Sequence, residues 1–269
     1  MPQDNPAPVI ELSIVVPAHN EAARIIPHLQ SIVRYMNTRE RPFEVIVVDD
    51  GSLDNTASVV QTYAKDVSPI SLLRLPVCEG KGAAVRHGMR VARGARQLFT
   101  DADGATPITE LERLEAALQS GAEIAIGSRS LASRLPQYTV NARWHRSLLG
   151  AVFNTIVRTG GITGIADTQC GFKLFDKAVA QDLFAVSRVN GYGFDLELLY
   201  VAQRRGYRIA EVPINWSDQP GSKVRVIRDG LAMLRELLVI HRNAERGAYS
   251  DRLTDQKLSP LVSPSGVAD

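Results

Sequence analysis

Between Leu12 and Gly127, short runs of β-branched and aliphatic residues alternate with stretches whose apolar positions recur every three to four residues. The runs predict strands at 12–16, 44–48, 71–75, 97–100 and 123–126. Four consecutive β-branched residues, Val45 to Val48, mark a strand buried on both faces. The intervening stretches predict helices. The first carries Ile25, Leu29, Ile32, Val33 and Met36 on one face, with Pro27 near its start, where a missing N–H costs little. Asp54 is placed to cap a second helix reaching Ala64, a third covers 83–93, and Thr109 is placed to cap a fourth with Leu111, Leu114 and Leu118 inward. Repeated β-α-β units predict an α/β fold with a mostly parallel sheet and right-handed crossovers.

Beyond Gly127 the pattern changes. Trp144, Leu148, Leu149, Val152, Phe153, Ile156 and Val157 recur at helical spacing among Arg143, Arg146 and Arg158. Leu231, Leu234, Leu237 and Leu238 do the same beside Arg225, Arg228, Arg235 and Arg242. Such basic amphipathic helices either lie on a membrane surface or bury their apolar face in the core. No apolar stretch reaches the roughly 20 residues of a membrane span. The first ten residues and the polar stretch 246–269 predict chain without fixed structure. The beginning of the chain lacks the pattern of a secretion signal.

Of 269 residues, 45% are hydrophobic and 22% charged, and the net charge of +2 gives no bulk electrostatic case for nucleic acid. Cys78 and Cys170 fit no zinc spacing and read as reduced thiols of a cytoplasmic protein.

The chemistry sits where strands end. One strand runs into Asp101-Ala102-Asp103-Gly104, a second into Asp49-Asp50-Gly51-Ser52 and a third into Pro17-Ala18-His19-Asn20-Glu21. An isolated Asp-x-Asp reads more readily as a solvated turn. Chance turns would scatter acids over both edges of the sheet, whereas here three strands deliver polar clusters to one edge, the edge where α/β sheets bind ligands. Two acids one residue apart suit a hard cation, Mg²⁺ or Mn²⁺, carrying phosphates. There is no G-x-G-x-x-G after the first strand and no Walker motif. Arg129 and the arginines after it favour an acceptor that is itself a phosphate, since arginine matches phosphate geometry. Asp167 is the available base should the acceptor be a hydroxyl.

These segments, with Gly80-Lys81-Gly82, Gly127-Ser128-Arg129, the run Asp167 to Lys173 and Gly193-Phe194-Asp195-Leu196-Glu197, occur in the order seen in family-two glycosyltransferases of the GT-A fold. The set most resembles the dolichyl- and polyprenyl-phosphate sugar transferases, especially the β-glucosyl branch, over about 12–213. The resemblance implies one catalytic domain at 11–242, with a nucleotide-sugar half (11–127) and an acceptor half (128–242) carrying interfacial helices. It implies that Pro17, Asn20, Glu21, Asp49, Asp50 and Lys81 surround the nucleotide, and that Asp101 and Asp103 meet the metal and the diphosphate. It places Ser128, Arg129, Gln169, Lys173 and Asp195, with Asp167, at the acceptor or sugar. Ala105 stands where the mannosyl branch has a glutamine, which favours glucose from UDP-glucose. The implied reaction is inverting transfer to a polyprenyl phosphate by an enzyme held peripherally on the inner face of a membrane. The alternatives are GDP-mannose as donor, a soluble hydroxyl acceptor, or a sugar-phosphate nucleotidyltransferase.

Overall fold

The computed structural model of the chain describes residues 9–141, 161–219, 221 and 226–250. The predicted basic helix around 147–157 lies outside them. Five strands form where expected, each slightly longer than its apolar run: β1 (Leu12–Ala18), β2 (Phe43–Asp50), β3 (Ile70–Leu75), β4 (Arg96–Thr100) and β5 (Ile124–Ser128). Between them lie α1 (Ile25–Asn37), α2 (Thr56–Asp66), α3 (Lys81–Val91) and α4 (Leu111–Gln119). The short helix α5 (Arg129–Ala132) follows β5 directly. Then come β6 (Val140–Asn141), β7 (Phe172–Asp176), α6 (Lys177–Val186), α7 (Phe194–Arg204), β8 (Ile209–Pro213), β9 (Trp216–Ser217) and α8 (Val226–Glu245).

The main sheet has seven strands in the order β3-β2-β1-β4-β7-β5-β8. All neighbours are parallel except β7, which runs antiparallel to both β4 and β5. Alternation along the strands divides the core between two faces. Val15, Ile46, Val48 and Phe99 pack with α3, α6, α7 and α8, while Ile14, Val16, Val45, Val47 and Leu98 pack with α1, α2 and α4. Gly88 lets α3 lie close on the sheet, since a Cβ there would come within 2.9 Å of Val48 Cγ2.

Two predicted caps differ. Asp54 lies one residue outside the expected position, yet its Oδ1 accepts the Thr56 amide at 2.9 Å. Thr109 caps nothing, because a 3₁₀ turn at Ile108–Glu110 leads into α4. Residues 246–250 are also anchored rather than loose. Tyr249 donates its hydroxyl to Glu197 Oε1 at 2.7 Å, and its carbonyl accepts from Arg205 Nη2 at 2.9 Å.

Because β1, β2, β4 and β5 point the same way, their carboxyl ends share one edge of the sheet. The reversed β7 brings its amino end there too, with Phe172 paired to Thr100.

Candidate active site

Asp101 directly follows β4, and its amide donates to the Gly171 carbonyl at 3.0 Å. Its Oδ1 lies 2.5 Å from Lys81 Nζ, on the first residue of α3. Burial alone would lower the Lys81 pKa. Asp101 and Asp195 outweigh it and hold the ammonium above its ordinary range. Asp103 accepts the Ala105 amide at 3.0 Å. Burial, reinforced by the neighbouring Asp101 charge, pushes the Asp103 carboxyl up. Two hard oxygen donors that destabilise each other's charge fit a divalent cation, which would relieve that repulsion.

The segment that brings in β7 is fitted to this pair. A Cβ on Gly171 would fall inside the van der Waals envelope of the Asp101 carboxylate. We expect Gly171→Ala to displace that carboxylate and lower turnover by about 100-fold, the scale of a 1 Å misplacement. Steady-state kinetics check this, and turnover within about threefold of wild type would remove the argument.

Arg129 closes the other side. Its Nε and Nη2 donate to Asp167 Oδ2 and Oδ1 at 2.7 Å each, and its amide donates to Oδ2 at 2.9 Å. The guanidinium lies 5.4 Å from the Trp216 ring centroid. Burial would raise the Asp167 pKa, but Arg129 outweighs it and keeps the carboxylate below its usual range. Asp167 is therefore held ionised by a fork of donors, a poor arrangement for the base that a hydroxyl acceptor would need. Ser128 was expected at the acceptor phosphate. It is fully buried, and its Oγ accepts the Leu131 amide at 3.0 Å, capping α5. The Gln169 amide donates to Asp167 Oδ1 at 3.3 Å, and its buried Nε2 has no hydrogen-bond partner among the described residues.

Lys173 and Asp195 were expected beside the acceptor or sugar, and the structure places both in the interior as an ion pair. Lys173 is the second residue of β7, has 0% exposure and pairs with Asp195, itself 2% exposed. Lys173 Nζ also donates to the Cys170 carbonyl at 2.7 Å. The strand's own pairing holds this lysine inside the sheet core. Asp195 instead links Lys173 to the charge of Lys81, so Lys173, Asp195, Lys81 and Asp101 form a chain of alternating charge. Glu197 is buried too, accepting the Arg188 and Val189 amides. Burial pushes the Cys170 thiol up to about 12, the state of an inert packed residue.

The residues expected around the nucleotide gather on the β1 and β2 ends. Pro17 is buried in β1. Asn20 Oδ1 accepts the Leu53 and Asp54 amides at 2.8 and 3.2 Å, which ties the two strand-end loops together. Glu21 forms a two-pronged pair with Arg24 at 2.8 and 2.7 Å. Asp49 is fully buried, with Arg74 Nε 3.6 Å away. Asp50 accepts the Glu79 and Gly80 amides at 2.7 and 2.9 Å, so in this conformation its carboxylate fastens the β3–α3 loop. His19, Asp50 and Cys78 offer donor atoms within 4.8 Å of one another. Both Asp50 oxygens already accept backbone amides, which makes this trio a weaker cation site than the Asp101/Asp103 pair.

Sequence reasoning missed His28. It lies on α1 beneath Gly104, whose φ of 68° and missing side chain leave room for the ring. Burial pushes its imidazole down to about 4, against an opposing pull from Asp101. The folded ring refuses a proton that the unfolded chain accepts below about 6.5. Its contribution is therefore complete above 6.5 and is lost as pH falls toward 4, about 3 kcal/mol in all. Denaturant unfolding at pH 7 and pH 4.5 should show wild type losing about 2–3 kcal/mol more than His28→Leu. Parallel losses would remove the assignment.

The model for Glycosyl transferase family 2 matches residues 13–184. A dolichyl-phosphate beta-glucosyltransferase of Trichomonas vaginalis is 42% identical over 224 residues, 80% of this chain and 66% of that protein. The chain thus spans just under two thirds of that relative. The human dolichyl-phosphate beta-glucosyltransferase is 36% identical over 257 residues, 90% of this chain and 78% of its own. Among solved structures, glucosyl-3-phosphoglycerate synthase of Mycobacterium tuberculosis, crystallised with Mn²⁺, UDP-glucose and phosphoglyceric acid, superposes with a TM-score of 0.64. It is 18% identical, covering 86% of this chain and 79% of its own, a likeness of fold.

Proposed function

The chain belongs to glycosyl transferase family 2, and we propose that it moves glucose from UDP-glucose to the phosphate of a dolichyl or polyprenyl lipid at a membrane surface, with inversion. The observation that carries this reading is the Asp101/Asp103 pair, braced by Lys81 where the strands end. Asp101 and Asp103 would hold Mg²⁺ or Mn²⁺, which when bound acts as a Lewis acid on the departing nucleoside diphosphate. Lys81, kept charged by its two acidic neighbours, adds a fixed positive charge at the same place. The loops bearing Asn20 and Asp50 form the wall against which the nucleoside would lie.

The acceptor follows from the state of Asp167. A hydroxyl acceptor needs a base, and Asp167, the acid named for that role, is held as an ion by Arg129. A lipid phosphate is already ionised and needs donors instead. Arg129 and the unpartnered Nε2 of Gln169 supply them.

Helix α8 fits a surface location. Arg228, Leu231, Arg235, Leu238 and Arg242 recur at steps of three and four and are all exposed, forming one stripe of mixed basic and apolar character. Such a stripe suits an anionic lipid interface. Among the described residues no helix is long and apolar enough to cross a membrane.

The test is a panel of labelled UDP-glucose, GDP-mannose and other nucleotide sugars, offered with polyprenyl phosphate or 3-phosphoglycerate, with and without Mn²⁺. Label from UDP-glucose should enter the lipid, and only with the cation. Label confined to phosphoglycerate would replace the acceptor assigned here.

A further inference from the structure

Helix α8 does more than cover the core. Leu237 (6% exposed) and Ile240 (0%) already seat it by apolar contact. The residue between that seat and the site is a carboxylate, Glu236. Its Oε2 accepts the Gly193 amide at 2.7 Å, and it also accepts from Gly191. Neither glycine has room for a side chain; at Gly193 a Cβ would lie 2.6 Å from Oε2. Burial pushes the Glu236 carboxyl up, a cost that apolar packing of the helix does not require.

The loop that Glu236 holds is gripped on its far side by α3. The Asn190 carbonyl accepts the Gly82 amide at 2.7 Å and the Ala83 amide at 3.3 Å. Arg86 Nη2 donates to Asn190 Oδ1 at 2.6 Å. Gly82 follows Lys81, and its missing Cβ would sit 2.5 Å from Phe194 Cβ. Phe194 in turn lies beneath Lys81, with Nζ 5.9 Å from the ring centroid. Four residues, 190–193, thus connect α8 to the cation that orients Asp101. Tyr192, at the middle of this loop, is half-buried.

We propose that Glu236 is a positioning residue for the nucleotide-sugar donor: from α8 it clamps the 190–193 loop and so keeps Lys81 aligned with Asp101. The proposal rests on the donor reading of that site but not on the identity of the acceptor. It also makes the donor site sensitive to where α8 sits.

The test uses the full chain with Glu236→Ala and Glu236→Gln. Donor affinity is measured by calorimetry with UDP-glucose and MnCl₂, and steady-state kinetics give KM for donor and lipid acceptor separately. Glu236→Ala should weaken donor binding about tenfold, and Glu236→Gln, which keeps one acceptor oxygen, about threefold. Acceptor KM should stay within about twofold in both, and the Glu236→Gln melting temperature within about 2 °C of wild type. Unchanged donor affinity in both variants overturns the proposal, as does a parallel rise of both KM values. Wild type that binds UDP-glucose but labels no lipid sinks the acceptor assignment, and the donor affinities still decide Glu236. Wild type that binds no nucleotide sugar takes both readings down.

Discussion

Asp103→Asn is expected to lower sugar transfer by about three orders of magnitude while leaving the melting temperature at or above that of wild type. The loss follows from removing one of two oxygen ligands for a cation that offsets leaving-group charge, an effect of several kcal/mol. The unchanged or raised stability follows from the same geometry. In the cation-free protein, burial and Asp101 both oppose ionisation of Asp103. A neutral amide removes that repulsion, so the substitution trades activity for stability. A thermal scan with Mn²⁺ and UDP supplies the second readout, since ligand stabilisation should be largely absent in the variant. A variant that keeps more than about a tenth of wild-type turnover would show that the cation, if used, is held elsewhere.

The largest stability effect should come from Lys173→Met. Removing one partner of a buried ion pair leaves an uncompensated charge, at a cost of about 3–5 kcal/mol. For a chain of this size that is a fall of about 10 °C in melting temperature. Asp195, with its pKa already pushed up by burial, would be the stranded group. Adding Asp195→Asn should recover most of the loss, because replacing both charges removes the stranded carboxylate. Lys173→Met melting within about 2 °C of wild type would mean that the pair is not closed as described. The substitution should also weaken catalysis, since Asp195 would be left to draw Lys81 away from Asp101.

The strands were legible because each is a local run: Val45 to Val48 can hardly be anything but a doubly buried strand. That holds for β1 to β5; β6, β8 and β9 were not predicted, and neither was β7, the one that matters for the site. A lysine in its second position breaks the apolar run Phe172, Leu174, Phe175, and nothing in the local sequence says that a partner carboxylate waits 22 residues on, at Asp195. Lys173 therefore read as a ligand-facing cation, when it is an internal one. The Asp101/Asp103 pair was legible from its place at a strand end. The pairing of Arg129 with Asp167 was not, because it joins segments 38 residues apart whose proximity depends on the reversal of β7. That pairing bears on the chemistry, since it occupies the acid that a hydroxyl acceptor would need as its base. His28 and Glu236 lie on helices, where one polar residue on an inward face carries no local signal of what it meets.

The reversed strand also governs how the polypeptide can be divided. Among the described residues, β5 bonds only to β7 and β8, both made long after it. A fragment ending near residue 128 would leave β5 without a neighbour and β4 with a bare edge, open to pairing with another molecule. A nascent chain on the ribosome meets the same hazard until residues 172–176 emerge. Residues 11–127 and 128–242 are thus inseparable as folding units, and splitting the gene between them should give insoluble pieces.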